Sequence, residues 1–336
     1  MSYPRILCLG EILIDCLRDT HANWIPQPGG APANVACALA KWGVPVGVIG
    51  AIGDDEAGRS LRELLATQGV DGSMVACLVG VPTRQVLVER DAGGDRQFVG
   101  FGTGDRDPIA GVASSDFADA QIDTAQVKPA AIVRADWLVT GTLGLAAPRT
   151  AQALRQAVGM AKQSMTSVFI DVNWRSVFWA NFDGTRPGVD QPDTPRDRIL
   201  RFLTQADWLK FSEEDAQFLL STDDPAEIAA RFPTAQGVLV TRGDQGCAYQ
   251  VGALSGEVAA FAVEVTDTTG AGDCFVAAFE ERWCYRGEAI IAAGDQMGLR
   301  EVIRFACAAG ALTTLGLGAI EPQPTQAAIL ALLESS

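Results

Sequence analysis

Short apolar runs alternate with stretches of helical period along most of this chain. Arg5 to Gly10 (R-I-L-C-L-G) is a continuous apolar run of strand length; a helical pattern follows from Ala33 to Trp42, and Val44 to Gly53 returns to strand character. The alternation continues through the apolar runs Trp137–Thr140, Val168–Val172, Trp208–Phe211 and Val238–Thr241. Between them lie helical patterns at Arg149–Ala161, Ser212–Leu220 and Pro225–Phe232. Continuous apolar strands divided by amphipathic helices predict a mostly parallel sheet wrapped by helices, so the fold class is α/β.

One region breaks the rhythm. Thr83–Asp91 and Arg96–Phe101 are both strand-like, and Ala92-Gly93-Gly94-Asp95 between them has the composition of a hairpin turn. Two adjacent strands with no helix between them fit either a small sheet standing off the main domain or an edge hairpin of the main sheet. The Pro-, Gly- and Asp-rich stretch Asn181–Asp197 has no apolar period and is expected to be an exposed loop. No internal repeat is present.

Length and charge narrow the function. The 336 residues are 48% hydrophobic and 20% charged, enough for a sizeable core in a globular enzyme. No apolar run reaches the roughly 18 residues of a bilayer span, and Met1 to Arg5 leads straight into the first strand rather than into a cleavable signal. The expected location is cytoplasmic. A net charge of −15 opposes nucleic acid and anionic membranes as partners. A small polyanion would have to be held locally, by backbone amides, a helix N-terminus and a divalent cation. The eight cysteines are scattered without a C-x-x-C pair and are expected to be reduced and buried.

Several chemistries lack their motifs. There is no Gly-Lys dipeptide for a Walker A loop and no G-x-G-x-x-G opening a helix after a strand. The sole histidine, His21, cannot build a histidine zinc cluster and reads as a polar loop residue; no G-x-S-x-G supplies a hydrolase nucleophile.

The most informative segment is Asp267-Thr268-Thr269-Gly270-Ala271-Gly272-Asp273-Cys274-Phe275, followed by a helical pattern over Val276–Trp283. Its glycines let backbone approach a ligand closely, and successive amides at a helix start form a cradle for anionic charge. A carboxylate just beyond such a cradle can accept a proton from a hydroxyl attacking a phosphoryl group, so Asp273 is a candidate general base. The same Asp could instead cap the helix. A second cluster, Gly10-Glu11-Ile12-Leu13-Ile14-Asp15 with Pro28-Gly29-Gly30-Ala31-Pro32-Ala33-Asn34, puts Asp15 after the first strand and Asn34 at a helix start. Together they could clasp vicinal hydroxyls, or be a turn Asp beside a Gly-rich helix start.

These segments resemble the signatures of the ribokinase-like (PfkB) carbohydrate kinases: G-G-A-P-A-N-V-A at Gly29–Ala36 the N-terminal one, D-T-T-G-A-G-D-C-F at Asp267–Phe275 the C-terminal one. Similar matches run through Ile52–Gly58, Asp171–Arg175, Lys210–Asp215, Val240–Gly246 and Gly318–Pro322, so the resemblance covers almost the whole chain. Within the family the segments are most similar to plant and bacterial fructokinases. The resemblance implies a single three-layer αβα domain over residues 1–336, with a small β-sheet lid formed from about 13–28 and 82–107. It implies an ATP-dependent sugar kinase, most similar to fructokinase, acting on the 6-hydroxyl, with ribokinase or 2-keto-3-deoxygluconate kinase as alternatives. A non-catalytic regulatory partner of the same fold is a further alternative, disfavoured because Gly270, Gly272 and Asp273 are all retained.

By resemblance, Asp273 is the base and Gly270, Ala271 and Gly272 form the anion hole. Asp15, Gly30, Asn34, Phe101, Asp107 and Arg175 fall on the sugar side. Ser212, Thr241, Gly243, Gly246 and Cys307 fall on the nucleotide side, with Cys307 near adenine in place of the family's Asn or His. The family's N-x-x-E reads Ser212-Glu213-Glu214-Asp215, which implies that Asp215 reaches Mg2+ through water. Asp267, Thr269, Thr313 and Gly318 resemble a monovalent-cation site for K+. Sugar and ATP are the implied partners, and the lid is the surface expected to carry a homodimer.

Overall fold

The computed structural model describes residues 5–18, 23–90, 96–102, 113–180, 182 and 193–335. In chain order its strands are β1 (Ile6–Leu9), β2 (Leu13–Arg18), β3 (Trp24–Gly29), β4 (Val46–Gly53), β5 (Asp71–Leu78), β6 (Gln85–Arg90), β7 (Arg96–Gly102), β8 (Trp137–Gly141), β9 (Ser167–Asp171), β10 (Trp208–Ser212), β11 (Gly237–Thr241), β12 (Cys247–Val251) and β13 (Leu254–Val258). Nine of these form one sheet in the order β13-β12-β11-β10-β9-β8-β1-β4-β5. Pairing is parallel from β5 through to β11, while β12 and β13 add antiparallel strands at one edge.

The helices are α1 (Ala31–Lys41), α2 (Glu56–Gln68), α3 (Pro129–Ile132), α4 (Pro148–Lys162), α5 (Pro195–Leu203), α6 (Glu213–Leu220), α7 (Pro225–Arg231), α8 (Ala271–Ala293), α9 (Gln296–Thr313) and α10 (Gln326–Glu334). Side chains alternate across the sheet: Ile6 and Cys8 join a core with α1, α2, α8, α9 and α10, while Leu7 and Leu9 join a second core with α3 to α7. Three layers result, which is why the strands read as unbroken apolar runs.

The remaining four strands form a separate sheet in the order β3-β2-β6-β7. Because β6 pairs with β2 rather than with the main sheet, the edge-hairpin reading is set aside. The turn at 92–95 and His21 lie outside the described residues.

Several expectations change. Residues 195–197, expected as loop, are the first turn of α5, whose start is fixed by the Thr194 hydroxyl accepting the Asp197 N–H at 3.1 Å; positions 181 and 183–192 of that stretch lie outside the described residues. Helix α8 runs over the whole of Ala271–Ala293, beginning before and ending after the pattern read from sequence. All eight thiols are free, but Cys77 is exposed and Cys284 only half-buried. Among the described residues no helix is long and apolar enough to cross a membrane.

Candidate active site

The loop before α8 turns sharply at Gly270, whose φ of 73° lies in the left-handed region; a Cβ there would come within 2.6 Å of the Ala319 side chain. The helix then opens on Ala271, Gly272 and Asp273, whose amides belong to the first turn, where the helix offers no carbonyl acceptors. No side chain caps this helix end, so the Asp273 carboxylate is not spent on the helix. It accepts instead a 2.7 Å hydrogen bond from Asn34 Nδ2. Burial raises the Asp273 pKa above its ordinary value, opposed by the Asn34 donor and by the charges of Lys210 and Arg175.

Asn34 is delivered by α1. Gly30 makes the entry with a φ of 103°, and a Cβ there would strike the Glu11 carbonyl oxygen at 2.4 Å. Asn34 is buried, and its Oδ1 accepts no hydrogen bond from the described residues. The Ala31 N–H donates to Glu11 Oε1 at 3.2 Å, tying the helix start to the end of β1. Burial pushes the Glu11 carboxyl up to about 7, helped by the nearby charges of Asp119 and Asp273.

The strands behind the helix end carry charge. Lys210 on β10 is the cross-strand partner of Asp171 on β9, and their side chains meet at 3.0 Å with both nearly buried. Burial pushes Asp171 up to about 6 against the pull of Lys210, while Lys210 is raised because its acidic neighbours outweigh burial. The Lys210 ammonium lies beside Gly272, where a Cβ would be 2.9 Å from Nζ. Asp215 is raised chiefly by burial, and it accepts the Trp174 N–H at 3.2 Å. Its own N–H donates at 3.1 Å to Ser212 Oγ, so the Ser212 side chain caps α6. Arg175 acts electrostatically on Asp171, Asp215 and Asp273, and its guanidinium lies 5.1 Å from the centre of the Phe98 ring on β7.

The small sheet brings Asp15 to the start of α1. Register pairs Gln27 with Asp15, Asp15 with Val86 and Val86 with Phe101, so these four share one face in a single row. The Asp15 carboxylate lies over Gly29, where a Cβ would be 2.3 Å from Oδ2. Phe101 is buried edge-on against Phe117 and Phe178, with the Arg84 guanidinium about 4.5 Å from each of the three rings. Asp107 lies outside the described residues.

Next to Ser212 in the sheet, Thr241 ends β11 and its hydroxyl donates to the Phe211 carbonyl at 3.2 Å. Gly243 and Gly246 shape the turn into β12. Cys307 lies on α9 within the core, close enough to Cys247 for the two thiols to act on one another. Asp267 is almost wholly buried and accepts the Thr269 N–H at 3.2 Å, the Thr269 hydroxyl, and the Gly318 N–H at 2.9 Å. It thereby fastens the loop before α8 to the loop after α9. The Thr313 hydroxyl donates to the Ala309 carbonyl at 2.9 Å, within its own helix.

A glycine-rich helix start, a carboxylate beside it, a buried ammonium and a hydrogen-bonding small sheet can together hold an anionic group and deprotonate a hydroxyl. Residues 4–326 match the pfkB family carbohydrate kinase. The chain belongs to this family. Fructokinase-1 of Oryza sativa subsp. japonica is 34% identical over 342 residues, covering 98% of both chains. Among solved structures, fructokinase with bound ATP from Xylella fastidiosa is similar over 98% of both chains, at 27% identity and a TM-score of 0.83. A fructokinase double mutant from Vibrio cholerae O395, in its fructose, ADP and potassium ion bound form, is similar over 99% of both chains, at 26% identity and a TM-score of 0.78. This chain is a pfkB carbohydrate kinase with the fold of those enzymes.

Three residues of the site escaped the sequence reading as functional groups. Lys210 sits in the apolar run W-L-K-F-S, where a lysine within a buried strand is itself a signal. Asp171 and Glu11 end apolar runs at the carboxyl edge of a parallel sheet, the edge where such sheets bind ligands.

Proposed function

We propose that this chain is a fructokinase, transferring the γ-phosphoryl group of ATP to the 6-hydroxyl of fructose with Asp273 as general base. The observation that carries the reading is the Asp273 carboxylate, next to the Gly270–Gly272 helix start and held by Asn34 rather than used as a cap. Its raised pKa makes it a better proton acceptor than an ordinary carboxylate. The similarity to enzymes described as fructokinases supports fructose as the sugar.

In this reading the sugar lies between Asp15, the Gly30 backbone and Asn34, whose unpartnered Oδ1 suits a sugar hydroxyl donor. The small sheet acts as a lid, with Phe101 supporting the row that carries Asp15 and Arg175 reaching oxygens of sugar or phosphate. As the hydroxyl oxygen bonds to the γ-phosphorus, its proton passes to Asp273 and the bridging bond to ADP breaks. Amides of Gly270, Ala271 and Gly272 receive the charge that develops on the phosphoryl oxygens. ATP lies along Ser212, Thr241, Gly243 and Gly246, with Cys307 in the wall toward the base.

Among the described residues no three His, Cys, Asp or Glu side chains converge as a metal cage, and Asp215 already holds a backbone N–H. These residues fit a magnesium ion that comes with ATP: Asp215 would hold it through water, and the ion would supply neutralisation of phosphate charge. The buried Asp267 carboxylate, on which the loops at Thr269 and Gly318 close, supplies the negative charge that a potassium site would need.

The test is ADP release with fructose, ribose, adenosine, 2-keto-3-deoxygluconate and fructose 6-phosphate. Fructose is expected to give the highest kcat/KM. Turnover of any other member tenfold better than fructose would overturn the assignment of the sugar.

A further inference from the structure

We infer that Lys210 is a catalytic residue of this kinase, its ammonium contacting the phosphoryl group in transfer from beside the helix amides. The inference rests on the proposed anion site at Gly270–Gly272. Lys210 is carried by β10, a central strand of the main sheet, and its side chain is nearly buried. Removing an ammonium from water is costly unless nearby charge compensates, and compensation here comes from Asp171 at 3.0 Å.

A bare structural pair would need no further arrangement, yet three features go beyond one. Lys210 is surrounded by acid, with Asp273 and Asp215 acting on it as well as Asp171. Its Nζ lies beside Gly272, in the space a side chain would fill at any other residue type. Lys210 and Arg175 are the two cations that stabilise the Asp273 carboxylate.

The positive charge is thus fixed beside the amides that would face the transferring group, held there by Asp171. Phosphoryl transfer spreads charge over three equatorial oxygens, and a preorganised cation in a site of low dielectric stabilises that charge without reorganising. The ammonium has three protons to donate, and a carboxylate on one side leaves others directed away from it. Bond changes are those of the transfer itself; Lys210 keeps its proton throughout.

Lys210→Met keeps the apolar stem and removes the charge. At saturating ATP and sugar, kcat is expected to fall at least ~10²-fold, the size typical of losing one donor to developing charge, with the sugar KM changed less than about threefold. Lys210→Arg, which restores a cation, should recover at least about tenfold of that loss. A second readout uses the thermal shift given by ADP alone and by ADP with fluoroaluminate, a mimic of the group in transfer. The Met variant should keep the shift from ADP and lose the increment from fluoroaluminate.

Should the Met variant fail to fold because Asp171 is left buried without its cation, Asp171→Asn/Lys210→Met removes both charges and is read in the same way. A Met variant, or that double variant, keeping more than about a tenth of the wild-type kcat and the full fluoroaluminate increment would make Lys210 a structural partner of Asp171 and overturn the inference. Because the fluoroaluminate readout needs no identified sugar, a wild-type enzyme that ignores fructose would sink the fructose assignment while leaving this test intact.

Discussion

Asn34 and Asp273 stand 239 positions apart in the chain and meet through a 2.7 Å hydrogen bond from the Asn34 amide to the Asp273 carboxylate. The contact joins the first turn of α1 to the first turn of α8, so the two sequence signatures become one site. A donor to an ionised carboxylate stabilises the charged form, and here it works against the burial that raises the Asp273 pKa.

Asn34→Ala should therefore push the Asp273 pKa higher. A hydrogen bond to a charged group is worth about 1.5–3 kcal/mol, which corresponds to roughly one to two pH units. The acid limb of the kcat/KM profile, set by the base in the free enzyme, should move to higher pH by that amount. An acid limb at the wild-type position would show that this bond does not tune the base.

Asp15 and Gly29 provide a second test. The Asp15 carboxylate occupies the space of a Gly29 side chain, so Gly29→Ala should displace it with little other disturbance. Asp15→Ala should lower kcat/KM for the sugar about 10- to 100-fold, the loss of a charged acceptor, and Gly29→Ala should move in the same direction. The ATP KM should hold in both. Sugar kinetics unchanged in the Asp15 variant would remove this residue from the site.

Glu11 ties stability to pH. Its carboxyl is pushed from 4.5 to about 7 by burial, so between those values the folded chain keeps a proton that the unfolded chain has released. The unfolded state then binds fewer protons, and stability falls as pH rises through this window. Glu11→Gln keeps an acceptor for the Ala31 N–H and removes the titration. The stability lost between pH 5 and 7.5, read from urea midpoints, should be smaller in the variant by on the order of 2 kcal/mol. Equal losses in both proteins would show that Glu11 titrates normally.

The layered α/β fold was legible because buried parallel strands write themselves as unbroken apolar runs. Strands β5 and β13 were not, since they are edge strands and part of each faces solvent. The candidate base and the helix start could be picked out because glycines and a carboxylate are fixed locally by the turn at Gly270. Lys210, Asp171 and Glu11 were not recognised, because their significance lies in contacts between strands and helices distant in sequence. Phe101 could be picked out as aromatic, but its place against Arg84, Phe117 and Phe178 depends on the pairing of β6 with β7.

Asp267 leads to a prediction in salt. An ion beside this buried carboxylate would order the loop that begins the proposed anion hole, fastened through Gly318 and Thr269. Replacing sodium by potassium at constant ionic strength should raise kcat, and Asp267→Asn should abolish the difference. Equal wild-type rates in the two salts would argue against a functional cation site.

The most direct measurement is the turnover of Asp273→Asn at saturating ATP and sugar. An amide at this position can still accept the Asn34 hydrogen bond and sits on the same unspent face of α8, but it cannot take a proton from the sugar hydroxyl. General-base catalysis is worth about 10²–10⁴-fold, so kcat should fall by at least ~10²-fold, with the melting temperature nearly unchanged and ATP still bound. A variant that keeps more than about a tenth of the wild-type kcat, where chemistry limits the rate, would contradict the account.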